Sequence, residues 1–85
     1  MEFIAVTYRS RAHTLRFHEF LKDNGIYSEI INTPKEAGVG CGLSVKTDPK
    51  YFSAIKKAVR ITELKSFAGF FLVKNYGGKR SVTSI

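Results

Sequence analysis

The chain reads as an α+β domain: four strands and two helices in the order β-α-β-β-α-β. Three observations lead there. Residues 11–24 and 49–60 show capped, amphipathic helical spacing, and four β-branched or aromatic runs flank them. The length of 85 residues makes one domain, and 44% hydrophobic residues are too many for a disordered chain.

Glu2-Phe3-Ile4-Ala5-Val6-Thr7-Tyr8 opens the chain as a strand. Both of its alternating faces are largely apolar, which suits a central position. Arg9-Ser10 ends it, and the Ser10 hydroxyl is placed to cap the helix that follows. Arg11 to Asn24 carries an apolar stripe of Leu15, Phe17, Phe20 and Leu21, and Gly25 suits a left-handed stop. His13 and His18 stand about 140° apart around that helix, so they cannot form an i, i+4 metal pair. His18 lies beside Leu21 as a partly buried packing residue, and His13 is near the exposed first turn.

Ile26 to Asn32 is the second strand, stopped by Thr33-Pro34. Leu43 to Thr47 alternates as the third. Asp48-Pro49 opens the second helix, with Tyr51, Phe52, Ile55, Ala58 and Val59 inward and Lys56, Lys57 and Arg60 outward. Ile61 to Ser66 is either its continuation or a connection. Phe67 to Tyr76 is the last strand, strongest at Phe70 to Val73, and residues 77–85 read as a flexible basic tail. The domain therefore spans 1–76. This order predicts a ferredoxin-like fold, a four-stranded antiparallel sheet with both helices on one face. Phe3, Ala5 and one register of Phe70 or Phe71 then form an apolar patch on the open face, fit for a homodimer or another partner.

Composition narrows the functional classes. Fourteen Lys and Arg against seven Asp and Glu give +7, a charge that attracts phosphate, nucleic acid or acidic protein without choosing among them. The third strand has no aromatic residue, and Phe67-Ala68-Gly69-Phe70 is no RNP1 match, so any nucleic-acid binding is expected to be weak. A single cysteine forms no internal disulfide and points to a reducing, cytoplasmic setting. No basic-then-apolar leader and no membrane-spanning run stand out. There is no Cys-x-x-Cys, no dinucleotide or Walker fingerprint, and no metal-ligand spacing; neither a metal nor a cofactor is expected.

What remains is Cys41, set in Pro34-Lys35-Glu36-Ala37-Gly38-Val39-Gly40-Cys41-Gly42. Such a loop can be a mobile hairpin with an incidental small residue. It can also display a thiol among free backbone N–H groups. The strand order places this loop at the sheet end where the first helix begins. That gathers Arg9, Ser10, Arg11, His13, Lys35, Gly40 and Gly42 around Cys41 as candidate stabilisers of a thiolate.

Pro34-Lys35-Glu36 ahead of Cys41-Gly42-Leu43, with Arg9-Ser10 before the first helix and Leu21-Lys22 and Gly25 at its end, resembles a small bacterial family of selenium/sulfur carrier-like proteins. The likeness runs from about Phe3 to about Val59. It implies that Cys41 is a carrier thiol, that Pro34, Lys35, Glu36 and Gly42 frame it, and that the partners are sulfur or selenium donor and acceptor proteins. Ala37, Gly38 and Gly40 depart from the family pattern, where a larger aliphatic residue and serines are frequent. The departure implies a loop whose stabilising groups are mainly backbone N–H.

Overall fold

The computed structural model describes residues 1–85. Strand β1 (Glu2–Tyr8) is central, paired antiparallel with β3 (Leu43–Thr47) on one side and β4 (Phe67–Tyr76) on the other. Strand β2 (Glu29–Asn32) pairs with β3 at one edge, and β5 (Lys79–Ser84) pairs with β4 at the other. The sheet thus has five strands in the order β2-β3-β1-β4-β5, every pair antiparallel.

Three expectations need correction. The sheet has five strands, not the four of a ferredoxin-like sheet, because Lys79–Ser84 is the strand β5. The cause is local. Gly77 and Gly78 both take positive φ, 55° and 79°, the backbone of a two-residue hairpin turn whose twist matches the flanking strands. Strand β2 starts at Glu29, three residues later than Ile26. The residues before it serve the helix end: Ile26 N–H donates to Leu21 O at 2.9 Å and Gly25 N–H to Lys22 O at 3.1 Å, a Schellman closure with Gly25 at φ 74°. In helix α1 (Arg11–Asp23) the buried stripe is Thr14, Phe17 and Leu21, whereas Leu15 is exposed. Phe17, Phe20 and Leu21 pack into the core as expected, and Thr14 takes the inward place expected of Leu15.

Helix α2 (Phe52–Thr62) follows a single 3₁₀ turn, Pro49–Tyr51, whose Asp48 carboxylate accepts from Lys50 N–H at 2.9 Å. It ends at Glu63, in the left-handed conformation at φ 49°. Both helices pack on the face that carries Ile4, Val6, Tyr8 and Val45; with Phe17, Leu21, Ile55, Ala58 and Leu64 these form the main core. Tyr8 is its centre, its ring 5.4 Å from Phe17 and 5.7 Å from Phe67. Tyr8 Oη is buried without a hydrogen-bond partner, and burial pushes the phenol up to about 12, only partly offset by the neighbouring Thr62 hydroxyl.

The second face carries its own apolar cluster, Phe3, Ala5 and Val73, flanked by half-buried Ile31, Phe71 and Val82. Phe71, not Phe70, is the aromatic residue on that face: Phe71 pairs with Ala5, while Phe70 pairs with Val6 and meets Phe52 of α2 edge-on at 5.2 Å. This face is not bare. The connection between β2 and β3 contains a second 3₁₀ turn, Lys35–Ala37, which packs against β5. Strands β2 and β5 lie at opposite edges, roughly 19 Å apart at about 4.8 Å per strand spacing. The connection therefore crosses the second face, with Pro34 near its start buried and Gly40 near its end beside Thr7.

Candidate functional site

Cys41 sits at the downstream end of that crossing segment, half-buried and unpaired. Its backbone is tied to the end of β1, with Cys41 N–H donating to Tyr8 O at 3.0 Å. Gly40 and Gly42 on either side both have φ 96°, a left-handed backbone that side chains resist. A Cβ at Gly40 would also lie 3.4 Å from Tyr8 O, so glycine there permits the close approach to β1; Gly42 faces open space. Gly42 O in turn accepts from Thr33 N–H at 2.9 Å, closing the neck of the loop.

The side chain of Cys41 points at the first turn of α1. Sγ is 3.5 Å from Thr14 Oγ1 and 3.6 Å from Leu43 O. Thr14 Oγ1 donates to Ser10 O at 3.1 Å, so a neutral thiol can donate its proton to Thr14 or to Leu43 O. On ionisation the Thr14 proton can turn to the thiolate. Ser10 O is not orphaned by that turn, because it keeps the Thr14 N–H at 3.0 Å. Burial pushes the thiol up. The Thr14 hydroxyl, the backbone N–H groups of Leu43 and Cys41, and the Arg11 charge pull it down, and the balance lies below the ordinary value.

The residues gathered by strand order divide into two groups. Ser10, Arg11, Gly40 and Gly42 are beside Cys41 or linked to it. Ser10 acts through the helix: its Oγ accepts His13 N–H at 3.2 Å and its carbonyl holds Thr14. Arg11 is exposed and acts on the thiol by charge alone. Arg9, His13 and Lys35 are placed elsewhere. Arg9 N–H donates to Ser66 O at 2.8 Å, and its side chain is exposed. His13 turns toward β4, its Nδ1 2.7 Å from Ser66 Oγ and its ring edge-on to Tyr8 at 6.4 Å. Lys35 is exposed in the crossing turn. None of the three is among the groups that shift the Cys41 thiol.

Thr14 was not legible as a site residue from its own neighbourhood. Its signal is spacing: it stands four residues after the cap Ser10, hence on the helix side that faces the cysteine loop. It also revises what the glycines of the loop imply. The hydroxyl beside the thiol comes from the helix, so backbone N–H groups are not its only stabilisers. The other histidine behaves as a packing residue, with His18 half-buried and Nδ1 2.7 Å from Ser28 Oγ. No group of three or more His, Cys, Asp or Glu side chains is placed to hold a metal, and no helix is long and apolar enough to cross a membrane.

No curated protein and no solved structure matches the chain. A family model described as "Putative Se/S carrier protein-like" matches residues 4–66, a span that runs from β1 through Cys41 and α2 to the edge of β4. With well over half of its length inside that match, the chain belongs to the Se/S carrier protein-like family.

Proposed function

We propose that the protein carries sulfur or selenium on Cys41 and passes it from a donor protein to an acceptor protein. The observation that carries this reading is the Cys41 thiol itself: half-exposed, held below its ordinary pKa, and in contact with a hydroxyl that can turn toward it. The thiolate attacks the outer sulfur of a donor persulfide. The new bond joins Cys41 Sγ to that sulfur, the donor's S–S bond breaks, and the donor leaves as a thiolate. Transfer onward repeats the exchange with an acceptor nucleophile, and Cys41 Sγ is the leaving thiolate; no external oxidant or reductant enters. A low thiol pKa favours that second half, because a more acidic thiol leaves faster. With no second cysteine to resolve the adduct, the acceptor must be another molecule. A lone thiol used this way belongs in the reducing cytoplasm.

The test is intact mass after incubation with a small-molecule persulfide. The expected product is heavier by one sulfur atom, reverts on reduction, and is absent in Cys41→Ala. A folded protein that alkylates at Cys41 yet takes up no sulfur or selenium overturns the proposal.

The half-exposed Ile31, Phe71 and Val82 favour a second reading, a binding domain that pairs two copies through the second sheet face. Sedimentation equilibrium checks it, and a monomer at the highest attainable concentration sinks it. Nucleic-acid contact, driven by the +7 charge, is expected to be weak and to fade steeply with salt.

A further inference from the structure

The crossing segment is attached to the molecule very unevenly. At its ends it is secured by Thr33 N–H to Gly42 O, Cys41 N–H to Tyr8 O, and a 2.6 Å contact between the Thr33 and Ser44 hydroxyls. Between them, the backbone hydrogen bonds of the 3₁₀ turn are internal: Ala37 N–H to Pro34 O and Gly38 N–H to Lys35 O. No hydrogen bond joins residues 35–40 to the sheet beneath. The polar tie in the middle is one ion pair, Glu36 Oε2 to Arg80 Nε at 3.9 Å, with both side chains nearly half exposed. It is also the one ion pair in the molecule. Gly38 and Gly40 follow the turn with φ 66° and 96°, and Gly38 has open space around it. The cysteine comes next.

We propose that residues 34–42 form a strap that closes over the second sheet face and couples that face to Cys41. Closed, the strap is latched by Glu36 on Arg80, lies over the Thr7 end of the second face, and holds Sγ against Thr14 and Leu43. Released, it pivots at the Thr33–Gly42 neck at the cost of one backbone hydrogen bond to the sheet, Cys41 N–H to Tyr8 O, and draws the thiol off Thr14 and Leu43 as it lifts. The low cost follows from the bonding pattern: a latch of exposed charges resists opening weakly, whereas a strand would resist it with a full ladder. The device governs access to Cys41 whatever the thiol carries, so it stands or falls apart from sulfur transfer.

Charge reversal tests it on the full chain. Glu36→Arg, Arg80→Glu and the double variant are compared by the rate of Cys41 alkylation with neutral iodoacetamide, followed across pH to separate thiol ionisation from access. Both positions are exposed, so the variants fold, and circular dichroism checks this. A latch predicts that each single change raises the high-pH limiting rate about two- to fivefold, the scale an exposed ion pair supports, and that the double variant returns it toward wild type. The methyl resonances of Ile31 and Val82 shift in both single variants and recover in the double. Charge effects on the thiol alone move the midpoint instead, down in Glu36→Arg and up in Arg80→Glu, and leave the limiting rate without a rise. That result, unchanged rates, or a double variant that fails to recover each overturns the strap.

Discussion

The two faces of the sheet share one central strand and are closed by different means. On one face, β1 presents Ile4, Val6 and Tyr8 to two helices, and aromatic rings link Tyr8 to Phe17, Phe67 and onward to Phe70. On the other it presents Phe3, Ala5 and Thr7, and what crosses it is a glycine-rich segment whose middle is tied by one ion pair. The first face supplies stability. The second buries a smaller cluster, and Cys41 lies at the seam between them, its main chain bonded to β1 and its thiol against α1.

The difference is broken most directly by cutting one large side chain from each face. Phe17 is fully buried between α1 and Tyr8, so Phe17→Ala is expected to cost about 3–5 kcal/mol, enough to unfold much of a domain this small. Val82 is half-exposed on the second face, and Val82→Ala is expected to cost under about 1 kcal/mol. Urea unfolding measures both. Comparable losses would mean that the second face is as much a core as the first.

A second measurement sharpens what the helix-covered core tolerates. Tyr8 folds with its phenol raised to about 12, so its neutral form is the one the core accepts. Its contribution is fully present below the ordinary tyrosine pKa near 10 and is lost as pH rises toward 12, on the order of 2–3 kcal/mol in all. Tyr8→Phe removes that alkaline loss. It also deletes a hydroxyl with no partner, so at pH 7 the variant is expected to be as stable as wild type or up to about 1 kcal/mol more stable. Loss of stability in Tyr8→Phe at pH 7 would show that the hydroxyl is bonded after all.

How much of this was legible depends on how local the cause is. The strands β1, β3 and β4 and both helices follow from alternation, caps and stops that lie within each segment. The meeting of Cys41 with α1 follows from strand order, which needs no side-chain detail. Strand β5 had a local signal too, Gly77-Gly78 before an alternating run, but its weak hydrophobicity concealed it. The strap had none. That Glu36 meets Arg80 is a contact between residues 44 positions apart, set by the curvature of the sheet and the length of the loop. His13 shows the limit of strand order: it puts the first turn of α1 near the cysteine loop without saying which way each side chain on it faces, and His13 faces Ser66, just ahead of β4.

At the seam, Thr14→Val keeps the shape of the side chain and removes the hydroxyl. The thiol is then held up by burial with less to offset it, so the midpoint of Cys41 alkylation moves upward, and labelling at pH 7 slows about two- to tenfold, the range of one modest hydrogen bond. The stability linkage has a definite sign. A thiol whose folded pKa is lowered contributes stability that is present above its unfolded pKa and lost as pH falls through the folded value. Thr14→Val is expected to flatten that part of the pH–stability curve. An unmoved midpoint would remove Thr14 from the site.

The smallest expected effect separates two cations that strand order alone treats as equivalent. Arg11 stands exposed on the first turn of α1, and its charge lowers the thiol without a direct contact. Lys35 rides on the strap, and the thiol does not register it. Arg11→Ala should therefore raise the alkylation midpoint, by less than Thr14→Val does, because an exposed charge is screened and a hydrogen bond is not. Lys35→Ala should leave it unchanged. Salt supplies the internal control. The Debye length falls from about 10 Å at 0.1 M to about 3 Å at 1 M, so the gap between wild type and Arg11→Ala should close in concentrated salt while the Thr14→Val shift persists. A Lys35→Ala shift as large as that of Arg11→Ala would mean that the strap brings its lysine to the thiol in solution, and that the two faces are less separate than their packing implies.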